Sequence, residues 1–283
     1  MPMMRWIDRY FIKQPLIREW VTRVLFSNRE RDVTLLEHAV RIHAIKENGY
    51  LRASQKAVSS SLFRDEVITL QHLMLFVKPK MTFVDIGANV GIFSILMSDV
   101  TRIYPNFKVS AFEVHPDTYS RLKINAQRHG FEAINLAIGA LAEQREFVEG
   151  AVSHVTTTTE QANHYNIPSR RFRMEVRRLD SFEFHGPLFL KIDVEGQEMA
   201  VLEGAAALFE REQIDAVFID GFALDSGIPE YLVERKFLLF DVRTLKPSAQ
   251  PFALLALRWA AYPNVRPMKF GAEITSSKEK IHA

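Results

Sequence analysis

The chain of 283 residues contains no cysteine, which excludes disulfides and thiolate-bound metal. It carries little net charge: 36 Lys and Arg against 34 Asp and Glu leave +2. The clustered basic excess that marks nucleic-acid binders is therefore missing. No stretch approaches the roughly 20 apolar residues that span a bilayer. The first segment is broken by charge every few residues and lacks the apolar core of a signal peptide. A cytoplasmic protein without a transmembrane segment or nucleic-acid partner is expected. No internal repeat and no low-complexity tract stand out. Hydrophobic residues at 47% and charged residues at 25% are ordinary for a globular chain with a sizeable core. The length suits one large α/β domain, alone or with an extension.

Residues 1–40 read as helical. Trp6, Tyr10, Ile17, Trp20, Val21, Val24 and Leu25 recur at helical spacing, interrupted at Pro15. Arg5, Arg9, Lys13, Arg18 and Arg23 occupy the opposite face. Such a helix either packs on the main domain or offers a basic surface for peripheral contact with a membrane or partner. Asp8 and Glu19 weigh against the second reading. Alternation over residues 39–45, followed by Asn48-Gly49, predicts a hairpin. Residues 1–60 thus read as a helical and hairpin extension, and residues 61–283 as the main domain.

An amphipathic helix is predicted over 65–77. Strands then follow at 81–85, 108–113, 133–137, 188–193, 215–220, 237–242 and 252–258, with helices between most of them. Pro116 suits the first turn of one helix and Gly130 its end. A second helix is predicted over 197–209. This alternation argues for an α/β fold, a doubly wound and mostly parallel seven-stranded sheet. Residues 140–187 are too long for a simple connection. They include a strand at 171–179, and excursions of this kind often shape a substrate site.

The most informative segment is Asp85-Ile86-Gly87-Ala88-Asn89-Val90-Gly91. An apolar strand ends in an acid, and a turn of small residues opens a helix. Gly87 and Gly91 allow a tight bend and close approach to a ligand. The helix start offers N–H donors to a carboxylate, and Asp85 can pair with an ammonium. A dinucleotide G-x-G-x-x-G fails, because Asn89 and Ile92 stand at the second and third glycine positions. A phosphate-binding Walker loop fails for want of the Gly-Lys-Ser/Thr sequel.

Glu113 ends the next strand, where a carboxylate can accept both hydroxyls of a ribose. A third group, Lys191-Ile192-Asp193-Val194-Glu195-Gly196-Gln197-Glu198, ends the fourth strand of the sheet, so Asp193 should face the cleft. Two readings of it stand side by side. The charges orient a reacting hydroxyl, or Lys191 simply partners the acids while Glu195 and Glu198 favour a helix start.

Together with Phe112-Glu113-Val114-His115-Pro116, Asn135-Leu136-Ala137-Ile138-Gly139, Arg178-Leu179-Asp180-Ser181-Phe182 and Leu202-Glu203-Gly204, these segments resemble the FkbM family of S-adenosylmethionine-dependent methyltransferases over roughly residues 63–205. The resemblance implies a class I, Rossmann-like methyltransferase fold and O-methylation of a sugar, glycan or other natural product. It places Asp85, Gly87, Asn89 and Gly91 on the methionine side of the cofactor and Glu113 at the ribose. Ala137 and Ile138 fall near the adenine, Val114 is a further cofactor-binding candidate, and Glu66 lies close to the site. Asp193, Lys191 and Glu195 are the catalytic candidates. Asp193 is the favoured base and His154 a further one. Magnesium between Asp193 and Asp220 is a less favoured arrangement, since Gly221 follows Asp220 where such enzymes usually offer another ligand. The alternative classes are a cofactor-binding partner protein without turnover and a dehydrogenase with an aberrant turn.

Overall fold

The computed structural model describes residues 23–55, 60, 62–149, 156–158, 170–223, 225–248 and 253–265. The helical, basic reading of residues 1–22 and the candidate base His154 lie outside the described residues.

Where helix was expected up to residue 40, Glu30–Leu35 (β1) and His38–His43 (β2) form an antiparallel hairpin. The hairpin comes earlier than its predicted position. Its turn is Leu36 and Glu37, both left-handed at φ 47° and 70°, the backbone that suits the twist of a two-residue hairpin loop. Period-two alternation already runs through β1, with Glu30, Asp32 and Thr34 outward and Leu35 buried, but its charges obscure it. Asn48-Gly49 instead opens a helix, Asn48–Ser54 (α1). A π-helical turn, Leu62–Glu66, leads into Val67–Met74 (α2), where the amphipathic helix was expected.

From there strands and helices alternate. Thr82–Ile86 (β3) leads to Ile92–Ser98 (α3), and Lys108–Phe112 (β4) leads to Pro116–His129 (α4). His115 caps α4, Pro116 occupies its first turn, and Gly130 ends it at φ 75°. The predicted strand at 133–137 divides in two. Glu132–Ile134 (β5) stays beside β4, while Ala137–Ile138 (β6) leaves for a second sheet. That second sheet also holds Glu143–Glu149 (β7), Thr156–Thr158 (β8) and Arg170–Arg177 (β9), in the order β6-β9-β7-β8. It forms a flap made from the long excursion.

The central sheet resumes with Leu188–Ile192 (β10), followed by Glu198–Gly204 (α5) and Ala206–Glu210 (α6). The single helix expected over 197–209 is broken at Ala205, whose backbone leaves the helical range, and Gly204, which ends the first piece, packs so closely on the main chain of Gly139 that a Cβ would not fit. Ile214–Ile219 (β11), Ile228–Glu234 (α7), Phe237–Asp241 (β12) and Leu254–Arg258 (β13) complete the chain described.

The sheet order is β12-β13-β11-β10-β3-β4-β5, with only β13 antiparallel to its neighbours. Strands β3, β10 and β11 are buried at every residue, as strands covered on both faces must be. One face packs Val84, Leu190 and Val217 against Val201, Leu202 and Leu232 of α5 and α7. The other packs Phe83, Phe189 and Phe218 against Leu73 of α2 and Phe93 and Met97 of α3. Each such side chain contributes about 1.5–3 kcal/mol on burial. The strand order turns back on itself beside β3, so the carboxyl ends of β3, β4 and β10 open onto one crevice. Among the described residues no helix is long and apolar enough to cross a membrane.

Candidate active site

Every group at the head of β3 is set by backbone geometry. Gly87, Asn89 and Gly91 have φ of 78°, 53° and 87°. A Cβ on Gly87 would fall 2.0 Å from the Asp193 carbonyl oxygen, so only glycine lets β3 and β10 end this close together. Asp85 is fully buried; Ser94 Oγ donates to it at 2.7 Å and Lys191 Nζ stands 2.9 Å away. Asp85 and Lys191 are register partners across β3 and β10, so strand pairing itself makes this ion pair. Burial pulls the Lys191 ammonium down, but Asp85 and then Asp193 outweigh it and raise the pKa above the lysine range. Lys191 also reaches Asp193 at 3.4 Å.

Glu113 follows β4 and is buried as well. Its carboxylate accepts the Asn89 N–H at 2.9 Å and the His115 N–H at 2.8 Å. Burial pushes its pKa up to about 7, against the pull of those two donors. Asn89 Oδ1 is buried without a hydrogen-bond partner, and such an atom next to a cavity marks a place for a donor.

A cavity of about 350 Å³ lies across these strand ends. Gly87, Asn89, Glu113, Val114, Ala137, Ile138, Asp193 and Glu195 all line it, so most of the residues singled out in the sequence meet there. Asp85, Gly91 and Lys191 lie behind that wall rather than in it. Glu66 also stands outside the lining, where it accepts the Tyr50 hydroxyl at 3.0 Å. Glu195 is open to solvent on one side, yet surrounding protein desolvates it. That effect, with Asp193 and Asp220, raises its pKa. Asp220 is raised too, by burial first and then by Asp193. Among the described residues no group of three or more acids and histidines is placed to hold a metal ion.

Sequence reasoning missed the far wall. Phe147 and Val176 come from the flap, and Arg145 donates to Gln197 Oε1 at 2.9 Å, joining β7 to the segment after β10. His115 Nε2 stands 3.1 Å from Glu149, which also receives Lys46 Nζ at 2.6 Å. Flap, helix α4 and the N-terminal hairpin region are tied together there. Arg145 and Phe147 share one face of a strand, but nothing in their spacing points to a cavity formed by a distant sheet. A larger cavity of about 620 Å³, between Phe209, Arg235, Arg258 and Trp259, lies at the opposite edge of the sheet, away from these groups.

A mostly parallel sheet of this order, with a glycine turn after its central strand and an acid after the next, defines a class I, Rossmann-like methyltransferase fold. The family model described as the methyltransferase FkbM domain matches residues 85–238, and the chain belongs to that family. It is 30% identical over 144 residues to "Methyltransferase 1" of Beauveria bassiana (strain ARSEF 2860), a match covering 43% of this chain and 57% of that one. The chain thus spans little more than half the length of that relative. Among solved structures it is similar to the methyltransferase FkbM of Methylobacillus flagellatus KT, at 16% identity and a TM-score of 0.43, covering 65% of this chain and 45% of that one. It is also similar to a TehB-like SAM-dependent methyltransferase of Corynebacterium glutamicum, at 13% identity and a TM-score of 0.38, covering 75% and 96%.

Proposed function

We propose that this chain transfers a methyl group from S-adenosylmethionine to a hydroxyl of a sugar, glycan or other natural product. The observation that carries the reading is the single cavity that joins the glycine turn, the buried Glu113 and the acids after β10. The residues present fit the cofactor. Glu113 offers acceptors for two ribose hydroxyls, Asn89 Oδ1 is a buried acceptor in need of a donor, and Ile86, Phe112, Leu136 and Phe147 give an apolar slot for a base.

S-adenosylmethionine supplies a methyl group already activated on sulfur, whose C–S bond breaks as the acceptor's O–C bond forms. The chain's work is therefore to align the acceptor, keep water out and accept one proton. Asp193, at the cavity rim, takes the hydroxyl proton on its carboxylate oxygen, and Lys191 fixes that carboxylate from behind. Glu195, whose pKa is raised, is the neighbouring acceptor for the same proton. The Arg145–Gln197 contact closes the flap over the opposite side.

The test is calorimetric titration with S-adenosylmethionine and S-adenosylhomocysteine, NADH serving as control, followed by mass spectrometry of sugar and glycan acceptors. Saturable binding of the first two alone, with a methylated acceptor, supports the reading. Binding without turnover on any hydroxyl acceptor favours a partner protein, and NADH binding favours a dehydrogenase. Replacing Asp193 by Asn should lower turnover more than cofactor affinity; full turnover in that variant removes its assigned role.

A further inference from the structure

Arg145, Phe147 and Glu149 share one face of β7, since every second residue of a strand points the same way. Phe147 lines the cavity and stands between the other two along the strand. Arg145 meets Gln197 on the β10 side. Glu149 is fastened at the other end, where Lys46 Nζ stands at 2.6 Å and His115 Nε2 at 3.1 Å. The strand is thus tied on both sides of the one aromatic ring it presents to the cavity.

The seat of Glu149 is held from outside the flap. His115 Nδ1 accepts the Thr118 N–H at 3.4 Å as the cap of α4, so the ring proton sits on Nε2 and points at Glu149. Burial keeps the His115 pKa below its ordinary value, which makes this a neutral donor. Lys46 lies in the turn before α1, and its neighbour Glu47 locks that turn to α4. Glu47 Oε1 accepts Arg121 Nη2 at 2.8 Å, and both side chains are buried. Burial opposes the charge on Glu149, but Lys46 and then His115 outweigh it and hold the carboxyl below the usual range. Phe172, the register partner of Phe147, stacks on it at 6.0 Å and meets the His115 ring edge-on at 5.1 Å. The aromatic filling between cavity and seat is therefore continuous.

We propose that Glu149 is a positioning residue for the cofactor: seated between Lys46 and His115, it holds Phe147 over the slot that takes the adenine base. This rests on the S-adenosylmethionine reading above. The main-chain N–H of His115 also donates to Glu113, so one residue anchors both the cover of the base and the acid for the ribose. Through Lys46 the N-terminal extension takes part in holding the cofactor without touching it.

The test asks whether Glu149 acts through Phe147. Dissociation constants for S-adenosylhomocysteine are measured by calorimetry on the full chain as wild type, Phe147→Ala, Glu149→Gln and Lys46→Met, and with each of the last two added to Phe147→Ala. Glu149→Gln keeps the length of the side chain but leaves one oxygen for two donors. Thermal unfolding without ligand reports that each variant is folded; Phe147→Leu, which keeps bulk without a flat face, stands in if Phe147→Ala does not fold. Binding should weaken about tenfold in Phe147→Ala, through loss of a ring stacked on the base. It should weaken about fivefold in Glu149→Gln and about threefold in Lys46→Met. In the Phe147→Ala background both of these losses should shrink to within about twofold, because nothing remains to be positioned. Losses that persist undiminished in that background show a general structural role and overturn the proposal. So does unchanged binding in Glu149→Gln or in Phe147→Ala. Each of these results leaves the cofactor reading standing, whereas a wild-type chain that does not bind S-adenosylhomocysteine overturns both.

Discussion

Asp85 and Glu113 sit at the ends of neighbouring parallel strands, and both are buried. Their surroundings differ in kind. Asp85 faces a cation that strand register delivers, Lys191 at 2.9 Å, and a hydroxyl from Ser94. Glu113 receives main-chain N–H groups from Asn89 and His115, and burial pushes its pKa up to about 7. One acid is neutralised within the sheet and serves the architecture of the turn. The other keeps its proton affinity near neutrality, where ligand donors can decide its charge. Two carboxylates that look alike in sequence are thus expected to fail differently when altered.

The sharpest way to break that contrast is Lys191→Met, which leaves Asp85 buried without its cation. A loss of about 3–5 kcal/mol in unfolding free energy is expected from denaturant titration. Adding Asp85→Asn should recover much of it; a single variant as stable as wild type would mean that the pair does not hold the turn. Gly87→Ala comes next. Its backbone is left-handed and the new Cβ would strike the Asp193 carbonyl, so about 2–3 kcal/mol of stability and most S-adenosylhomocysteine affinity should go.

Glu113→Gln leaves one acceptor oxygen for the two main-chain N–H groups of Asn89 and His115, so it should cost about 1–3 kcal/mol of stability in denaturant titration and weaken the cofactor by about 1.5–3 kcal/mol, read by calorimetry. The same residue predicts a pH effect. Ribose hydroxyls bind the ionised carboxylate better, so affinity should be about tenfold weaker at pH 6 than at pH 8. The folded pKa lies above the ordinary 4.5, so the Glu113 contribution to stability of the ligand-free protein is complete below pH 4.5 and declines as pH rises to about 7. Glu113→Gln should flatten both profiles, and a cofactor affinity that stays constant from pH 6 to 8 in wild type argues against the ribose role. Smallest of all, Arg145→Ala removes one partly exposed contact to Gln197 and should cost about 0.5 kcal/mol of cofactor affinity.

The sequence made the central sheet legible because its strands are apolar runs ended by acids and glycines, and burial on both faces forces that pattern. It made the turn at Gly87 legible for the same kind of reason, since left-handed backbone selects small residues. The hairpin β1–β2 was hidden because charge on alternate residues masks its short inward stripe. The flap was hidden because its contribution depends on where a separate sheet folds back. No local rule places Arg145 next to Gln197, 52 residues on.

The flap leaves and re-enters the domain at one point. Gly139 N–H donates to the Arg177 carbonyl at 3.0 Å. Arg178 grips the Ala140 carbonyl at 2.6 Å and the Glu203 carbonyl at 3.0 Å. Whatever lies between Ala140 and Arg177 is a loop whose ends are already joined, so lengthening or replacing it adds little closure entropy and need not disturb the sheet. The domain is in this sense built like a tool with a fixed handle and an exchangeable head. A flap grafted from a relative between residues 140 and 177 should carry its own acceptor preference onto this sheet.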